Sequence, residues 1–113
     1  MKPGHVVLIR LPQTTGGPAK LRPALVLAIL PGPYQNVLIC GISTQLQSLQ
    51  YDWDELLNTN DADFSTSGIH RASAIRLSYL YAADSSEISG VIGRNNSERL
   101  LRLRKRLANL LVP

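Results

Sequence analysis

No apolar stretch in this chain exceeds seven residues; the longest spans residues 24–30, and Pro31-Gly32-Pro33 ends it. A membrane-crossing helix needs about 20 apolar residues, so the chain offers no transmembrane candidate. Short apolar runs cut by proline and glycine read instead as strands. Residues 5–11 (His-Val-Val-Leu-Ile-Arg-Leu) form the first candidate, followed by a loop over 12–18 that holds two Gly, two Pro and two Thr. Residues 22–30 are apolar enough for a strand buried on both faces, and residues 35–43 follow the break, which suggests a hairpin. Residues 44–50 are polar without a strong pattern. Residues 51–57 suit either a strand carrying exposed acids or a short helical turn. Residues 58–68 read as a loop, 73–77 as a strand that 79–82 continues or bends, and 88–92 as a short strand interrupted by Gly90.

Residues 95–111 are the clearest helix. Asn95 is set to cap it, and Glu98 follows three residues on, as in a capping box. Leu100, Leu103, Leu107 and Leu110 recur at helical spacing and form an apolar stripe. Arg99, Arg102 and Arg106 line a neighbouring face, which reads first as solvated, with phosphate contact as the alternative. Arg104 and Lys105 fall elsewhere on the surface. Five or so short strands and one late helix predict a mainly β fold with a C-terminal helix, a compact and strongly bent antiparallel sheet. The length of 113 residues fits a single domain, 1–113, with one modest core.

Charge narrows the class of partner. The net charge is +4, which draws a small domain towards anions: nucleic acid, acidic protein or a membrane surface. The first fifty residues carry Lys2, Arg10, Lys20 and Arg22 and no acid, whereas residues 51–63 carry Asp52, Asp54, Glu55, Asp61 and Asp63 and no base. The single cysteine, Cys40, cannot form an intrachain disulfide and reads as a buried thiol. With no signal-peptide pattern, these features suit a cytoplasmic protein.

Most catalytic signatures are missing. One cysteine and two distant histidines, His5 and His70, make a zinc site improbable. The Asp52, Asp54, Glu55 cluster lacks the spacing of a dedicated magnesium site and reads as a solvated acidic edge. Gly16-Gly17 is no phosphate-loop fingerprint, and no Gly-x-Ser-x-Gly elbow occurs. His5 and His70 could form an acid–base pair on RNA, but their spacing does not bring them together. The segment Lys20-Leu21-Arg22-Pro23-Ala24-Leu25-Val26-Leu27 differs. Pro23 fixes its own φ and biases Arg22 towards an extended conformation, so an arginine is aimed from the rigid start of a buried strand. Taken alone, an ordinary surface arginine at a strand start is the favoured reading.

With its neighbours, this segment resembles the MazF/PemK family of toxins. Gly4-His5-Val6-Val7 opens the first strand. A glycine-containing loop leads into Arg22-Pro23-Ala24-Leu25-Val26-Leu27. Ile42-Ser43-Thr44-Gln45 closes a hydrophobic strand, similar to the family's Thr/Ser-x-Gln signature. Ser67-Gly68 and Ser73-Ala74-Ile75-Arg76-Leu77 then precede Ile92-Gly93-Arg94 and the terminal helix. The resemblance runs nearly end to end, and Arg-Pro-Ala is its most specific part.

It implies a small SH3-like antiparallel barrel, a homodimer, and a sequence-selective endoribonuclease that cuts single-stranded RNA with no metal or other cofactor. By the same resemblance, Arg22 and Ser43 are the catalytic positions, and Lys20, Thr44, Gln45 and His5 would help to hold RNA. An antitoxin protein would be the partner, and no membrane would be involved. Arg22 would present a fixed fork of donors to the phosphoryl oxygens, while Ser43 would bond the phosphate or orient the 2′-OH. Two positions depart from the family pattern. His5 stands where an acid is usual, and Ser43 replaces the commoner Thr, losing the methyl that restricts χ1. Two other readings fit the same fold: a toxin that resembles CcdB and poisons DNA gyrase, and a non-catalytic RNA-binding relative.

Overall fold

The computed structural model describes residues 1–12 and 16–113. Residues 13–15, within the expected 12–18 loop, lie outside them. Six strands form one antiparallel sheet: β1 (His5–Leu11), β2 (Lys20–Ile29), β3 (Val37–Ser43), β4 (Glu55–Leu57), β5 (Ser73–Ala83) and β6 (Ile88–Arg94), in the order β4-β5-β3-β2-β1-β6. The helix α1 (Ser97–Leu111) follows. The expected β2–β3 hairpin is present. Residues 51–57 combine both expectations, a turn followed by the three-residue β4. The stretches 73–77 and 79–82 are one strand with a bend in it.

Both faces of the sheet are covered, as the apolar character of β2 requires. Consecutive residues alternate sides, so Val6 and Val7 enter different clusters. Val6, Leu25, Leu27, Cys40, Ile42, Ile75 and Leu77 pack with Leu103 of α1. Val7, Ile9, Leu11, Ala24, Val26 and Ile39 form the other cluster, where the bent sheet closes over itself with Tyr79, Tyr81 and Ile88. Cys40 is fully buried; burial, then the nearby Asp54 charge, pushes its thiol up to about 12, so it stays protonated and inert. The leucine stripe of α1 reaches only as far as Leu107, because Leu110 is exposed.

The mainly β class with a terminal helix is as expected, but hydrogen bonds do not close the sheet into a barrel. Its edge strands β4 and β6 do not pair. Residues 58–68 fill the gap: Arg94 N donates to the Thr66 carbonyl at 2.8 Å. The approach is so close that a Cβ on Gly93 would run into the Ser67 backbone, and one on Gly68 (φ +77°) into the Ile92 carbonyl.

Arg99 locks this filling segment. Its side chain is 7% exposed and reaches Asp63 (Nε–Oδ2 2.9 Å), Glu55 (2.9 Å) and Asp61 (3.0 Å). Asp63 also accepts from Asn95 Nδ2 at 3.0 Å and Asn96 N at 3.2 Å. Asn95 is therefore buried in this network rather than capping the helix. The cap is Asn96, whose Oδ1 accepts from Arg99 N at 2.8 Å. Arg102 and Arg106 join Glu55 at 3.1 and 3.3 Å. Two sequence expectations are thereby corrected. The helix arginines are paired internally rather than forming a free solvated face. Of the Asp52, Asp54, Glu55 cluster only Asp52 is exposed like a solvated edge; Asp54 is buried and Glu55 is paired with Arg99, Arg102 and Arg106.

Burial works against the Asp63 charge, yet the hydrogen bonds from Arg99, Asn95 and Asn96 outweigh it and hold the carboxyl below its ordinary 3.8. A carboxyl lowered in the folded state adds stability that is complete above its unfolded pKa and disappears as pH falls through the folded one. Breaking a buried pair from one side costs about 3–5 kcal/mol. Arg99→Leu and Asp63→Asn should each lower stability by about that much in urea denaturation at pH 7. Asp63→Asn should in addition flatten the loss of stability below about pH 4 relative to the parent.

Candidate active site

The sequence around Pro23 creates an opening in the sheet. Proline has no N–H to donate, and the β2–β3 ladder begins only at Ala24–Gly41. Residues 20–23 of β2 pair with β1 alone, Arg22 opposite Ile9. Extending the β2–β3 register by two residues sets Arg22 level with Ser43, on the same face and across the gap.

Two clefts meet at this rim, both lined by Arg22, Ile42 and Ser43. The first, of about 300 Å³, adds Gly41, Gln45, Ser48, Arg76 and Tyr79. The second, of about 640 Å³, adds Pro23, Thr44, Ile69, His70, Arg71 and Ser73. Neither is lined by a carboxylate. Among the described residues, every ion pair runs between the α1 arginines and Glu55, Asp61 or Asp63. Arg22, Arg71 and Arg76 thus keep their charge uncompensated, and the clefts are cationic.

Ser43 is held by its own turn. Gln45 N donates to Ser43 Oγ at 3.1 Å, leaving the hydroxyl proton free to point outwards. That bond restrains a side chain lacking the χ1 restriction of threonine. Tyr79 is set by a distortion in β5. The β3–β5 register jumps from Cys40–Leu80 to Gly41–Arg76, so three extra residues, 77–79, bulge out. Buried Asp54 holds the bulge: its carboxylate accepts from Ser78 N (2.9 Å), Ser78 Oγ (3.0 Å) and Gln50 N (3.0 Å). Tyr79 then lies beside Gly41, where an added Cβ would sit 3.6 Å from the ring, and its hydroxyl donates to the Pro12 carbonyl at 2.6 Å.

Of the residues singled out from sequence, Arg22, Ser43, Thr44 and Gln45 converge on the clefts. Lys20 is exposed at the start of β2 and lines neither. His5 lies four residues along β1 from Ile9, roughly 13 Å at strand spacing. Its Nδ1 accepts from Lys2 N at 3.1 Å. Burial, then the N-terminal, Lys2 and Arg94 charges, lower its pKa. Sequence reasoning missed Arg71, Arg76, Tyr79 and Asp54. Arg76 left a signal, a charge inside the apolar run 73–77; Tyr79 left none, since the bulge positions it. Among the described residues, no group of three or more His, Cys, Asp or Glu is arranged to hold a metal ion.

The model of the PemK-like, MazF-like toxins of type II toxin–antitoxin systems matches residues 2–111. The chain belongs to this toxin family. Membership implies an antitoxin partner. No curated protein matches the chain in sequence. None of the described helices is long and apolar enough to cross a membrane.

The role of Asp54 in setting this toxin's cleft is testable. Asp54→Ala removes the charged acceptor of three part-buried hydrogen bonds from Gln50 and Ser78, at about 1–3 kcal/mol in all. The variant should unfold at lower urea, and in NMR spectra its Gly41 and Tyr79 signals should shift while those of Asp63 and Arg99 stay in place.

Proposed function

We propose that the protein is a sequence-selective endoribonuclease that cleaves single-stranded RNA by attack of the RNA's own 2′-OH, with Arg22 and Ser43 as catalytic residues. The observation that carries this reading is their position at the shared rim of two clefts lined by three unpaired arginines and no carboxylate. Phosphoryl transfer gathers negative charge on the non-bridging oxygens, and a guanidinium fork is matched to them. Attack on the adjacent phosphorus forms a 2′,3′-cyclic phosphate, breaks the bond to the 5′-oxygen and leaves a 5′-hydroxyl. Arg22 stabilises the crowded intermediate, and Ser43 uses its free proton to orient the phosphate. Thr44 and Gln45 flank the strand. His70 lines the second cleft and is the histidine placed to exchange a proton with the substrate. His5 and Lys20, outside the clefts, are assigned to outer RNA contacts.

We further infer that the toxin acts in the cytoplasm as a homodimer, and that its antitoxin covers the Arg22 rim with an acidic segment. Exposed Val91 and Ile92 on edge strand β6 offer an apolar surface for the second copy. Protection of Arg22 from chemical modification in the complex tests the antitoxin contact; unchanged modification would refute it.

Purified toxin incubated in EDTA with mixed single-stranded RNAs should yield fragments with cyclic-phosphate and 5′-hydroxyl ends. Arg22→Ala should lower kcat by about 10²–10³-fold. Ser43→Ala should reduce it strongly, whereas Ser43→Thr retains it. Intact RNA together with a trapped gyrase–DNA complex would favour the CcdB-like reading instead. His70→Ala should slow cleavage by up to about 10²–10⁴-fold in single-turnover assays, while leaving RNA binding unchanged.

A further inference from the structure

A second group of basic side chains stands away from the clefts, at the other end of β1. His5 is directly opposite Arg94 in the β1–β6 ladder, so their Cα atoms are about 5 Å apart and their side chains share a face. Lys2 joins them through a tight turn: His5 N donates to the Lys2 carbonyl and Lys2 N donates to His5 Nδ1, both at 3.1 Å. The backbone beneath is held from several sides. Arg94 N donates to the Thr66 carbonyl at 2.8 Å, the Arg94 carbonyl accepts from Thr66 Oγ1 at 3.1 Å, and Asn95 N donates to the Gly4 carbonyl at 2.9 Å. Lys2 and Arg94 are exposed, and none of the three residues lines either cleft. Fully buried Val7 and Ile9 separate His5 from the level of Arg22.

Nothing in the chain answers these charges. Among the described residues, Lys2, His5 and Arg94 take part in no ion pair. The facing stretch of β2, Leu25 and Val26, is apolar, and Glu98 is the only acid on the adjoining helix and is itself in no ion pair. The family pattern has an acid where His5 stands; an acid there would meet Arg94 across the ladder and close the site, whereas histidine leaves it open. Because His5 Nδ1 is an acceptor, a neutral ring carries its proton on Nε2, and nothing among the described residues accepts from that atom. The group therefore offers two permanent positive charges, one of them a guanidinium fork, and an imidazole N–H. A carboxylate or a phosphodiester brings a single negative charge and leaves one cation unanswered. A phosphate monoester brings nearly two charges at neutral pH and three strong acceptor oxygens, which match both the charge and the number of donors.

We propose that Lys2, His5 and Arg94 form a binding site for a phosphate-monoester dianion, separate from the two clefts, with the phosphate supplied either by a free phosphorylated small molecule or by the 5′ end of an RNA. The site does not depend on the toxin being a nuclease.

An NMR titration of the whole toxin at constant ionic strength tests it, following the His5 ring and the Arg94 and Ser43 amides. Inorganic phosphate should shift His5 and Arg94 saturably, about tenfold more tightly than acetate, while Ser43 stays in place at those concentrations. Arg94→Gln should weaken phosphate binding about tenfold, and His5→Asp should remove saturable binding. A 2′-O-methyl trinucleotide with a 5′-phosphate, compared with its 5′-hydroxyl twin, identifies the source. Tighter binding of the phosphorylated twin than of inorganic phosphate assigns the site to an RNA end, and weaker binding assigns it to a small molecule; the site stands in both cases. Acetate binding as tightly as phosphate, shifts that never saturate, or unchanged affinity in His5→Asp would overturn the proposal. So would equal shifts of His5 and Arg94 by the two twins, which mark a phosphodiester contact. The comparison of phosphate with acetate needs no variant, so it decides even if a variant fails to fold. None of these readouts involves cleavage, so the nuclease reading can fail without this one, and this one without it.

Discussion

Arg99 holds together the part of the chain that sheet hydrogen bonding leaves open. Strand β4 has three residues, too few to complete a ladder to β6, and residues 58–68 occupy the gap with little regular structure of their own. Such a segment stays in place only if something compensates for its ordering entropy. Arg99 does so by engaging carboxylates on both sides of the gap, Glu55 in β4 and Asp61 and Asp63 in the filling segment. The same side chain fixes the start of α1, and α1 delivers Leu103 to the core. Burying an ion pair is at best neutral against a well-packed apolar alternative. What Arg99 adds is geometry: one guanidinium that specifies where three chain segments meet.

That network also sorts the charge of the protein. Glu55, Asp61 and Asp63 are committed to the helix arginines, and Asp54 is committed to the bulge in β5. Among the described residues the basic side chains of the cleft rim have no ion-pair partner and no carboxylate in the cleft linings, so a modest net charge is concentrated where two clefts meet. The acids thus act on the site from a distance, by their absence from it and by the backbone distortion that Asp54 supports. That distortion turns Tyr79 towards Gly41 and makes a slot of what would otherwise be a flat strand surface.

This division explains what could be read from the chain alone. Strands β1 to β3 were legible because alternation, β-branched residues and the Pro31-Gly32-Pro33 break all point one way. Arg22 was legible because Pro23 constrains both itself and the residue before it. The closure of the sheet was not, since it depends on Asp63 and Arg99, 36 positions apart, and on contacts that leave no periodic trace. For the same reason Asn95 looked like the cap: a local rule identified a good capping residue, and a long-range carboxylate had already claimed it, moving the cap to Asn96. The acidic stretch was misjudged as solvated because local sequence does not reveal the arginines it will meet.

The same reasoning bears on Ser43. From sequence, replacing threonine by serine removes a methyl and with it a restraint on the hydroxyl. In the folded chain the Gln45 amide provides a different restraint, a hydrogen bond to Oγ that both oxygens could accept but that matters more to the side chain with the freer rotor. The departure from the family pattern is thus offset by the turn that follows the strand. Because that bond uses the oxygen as acceptor, the hydroxyl proton is left for the substrate. Ser43 is thereby suited to donating to an acceptor beside Arg22 and poorly suited to acting as a base; under the proposed ribonuclease reading the base for the 2′-OH would be another group at the rim, and His70, in the lining of the second cleft, is the candidate.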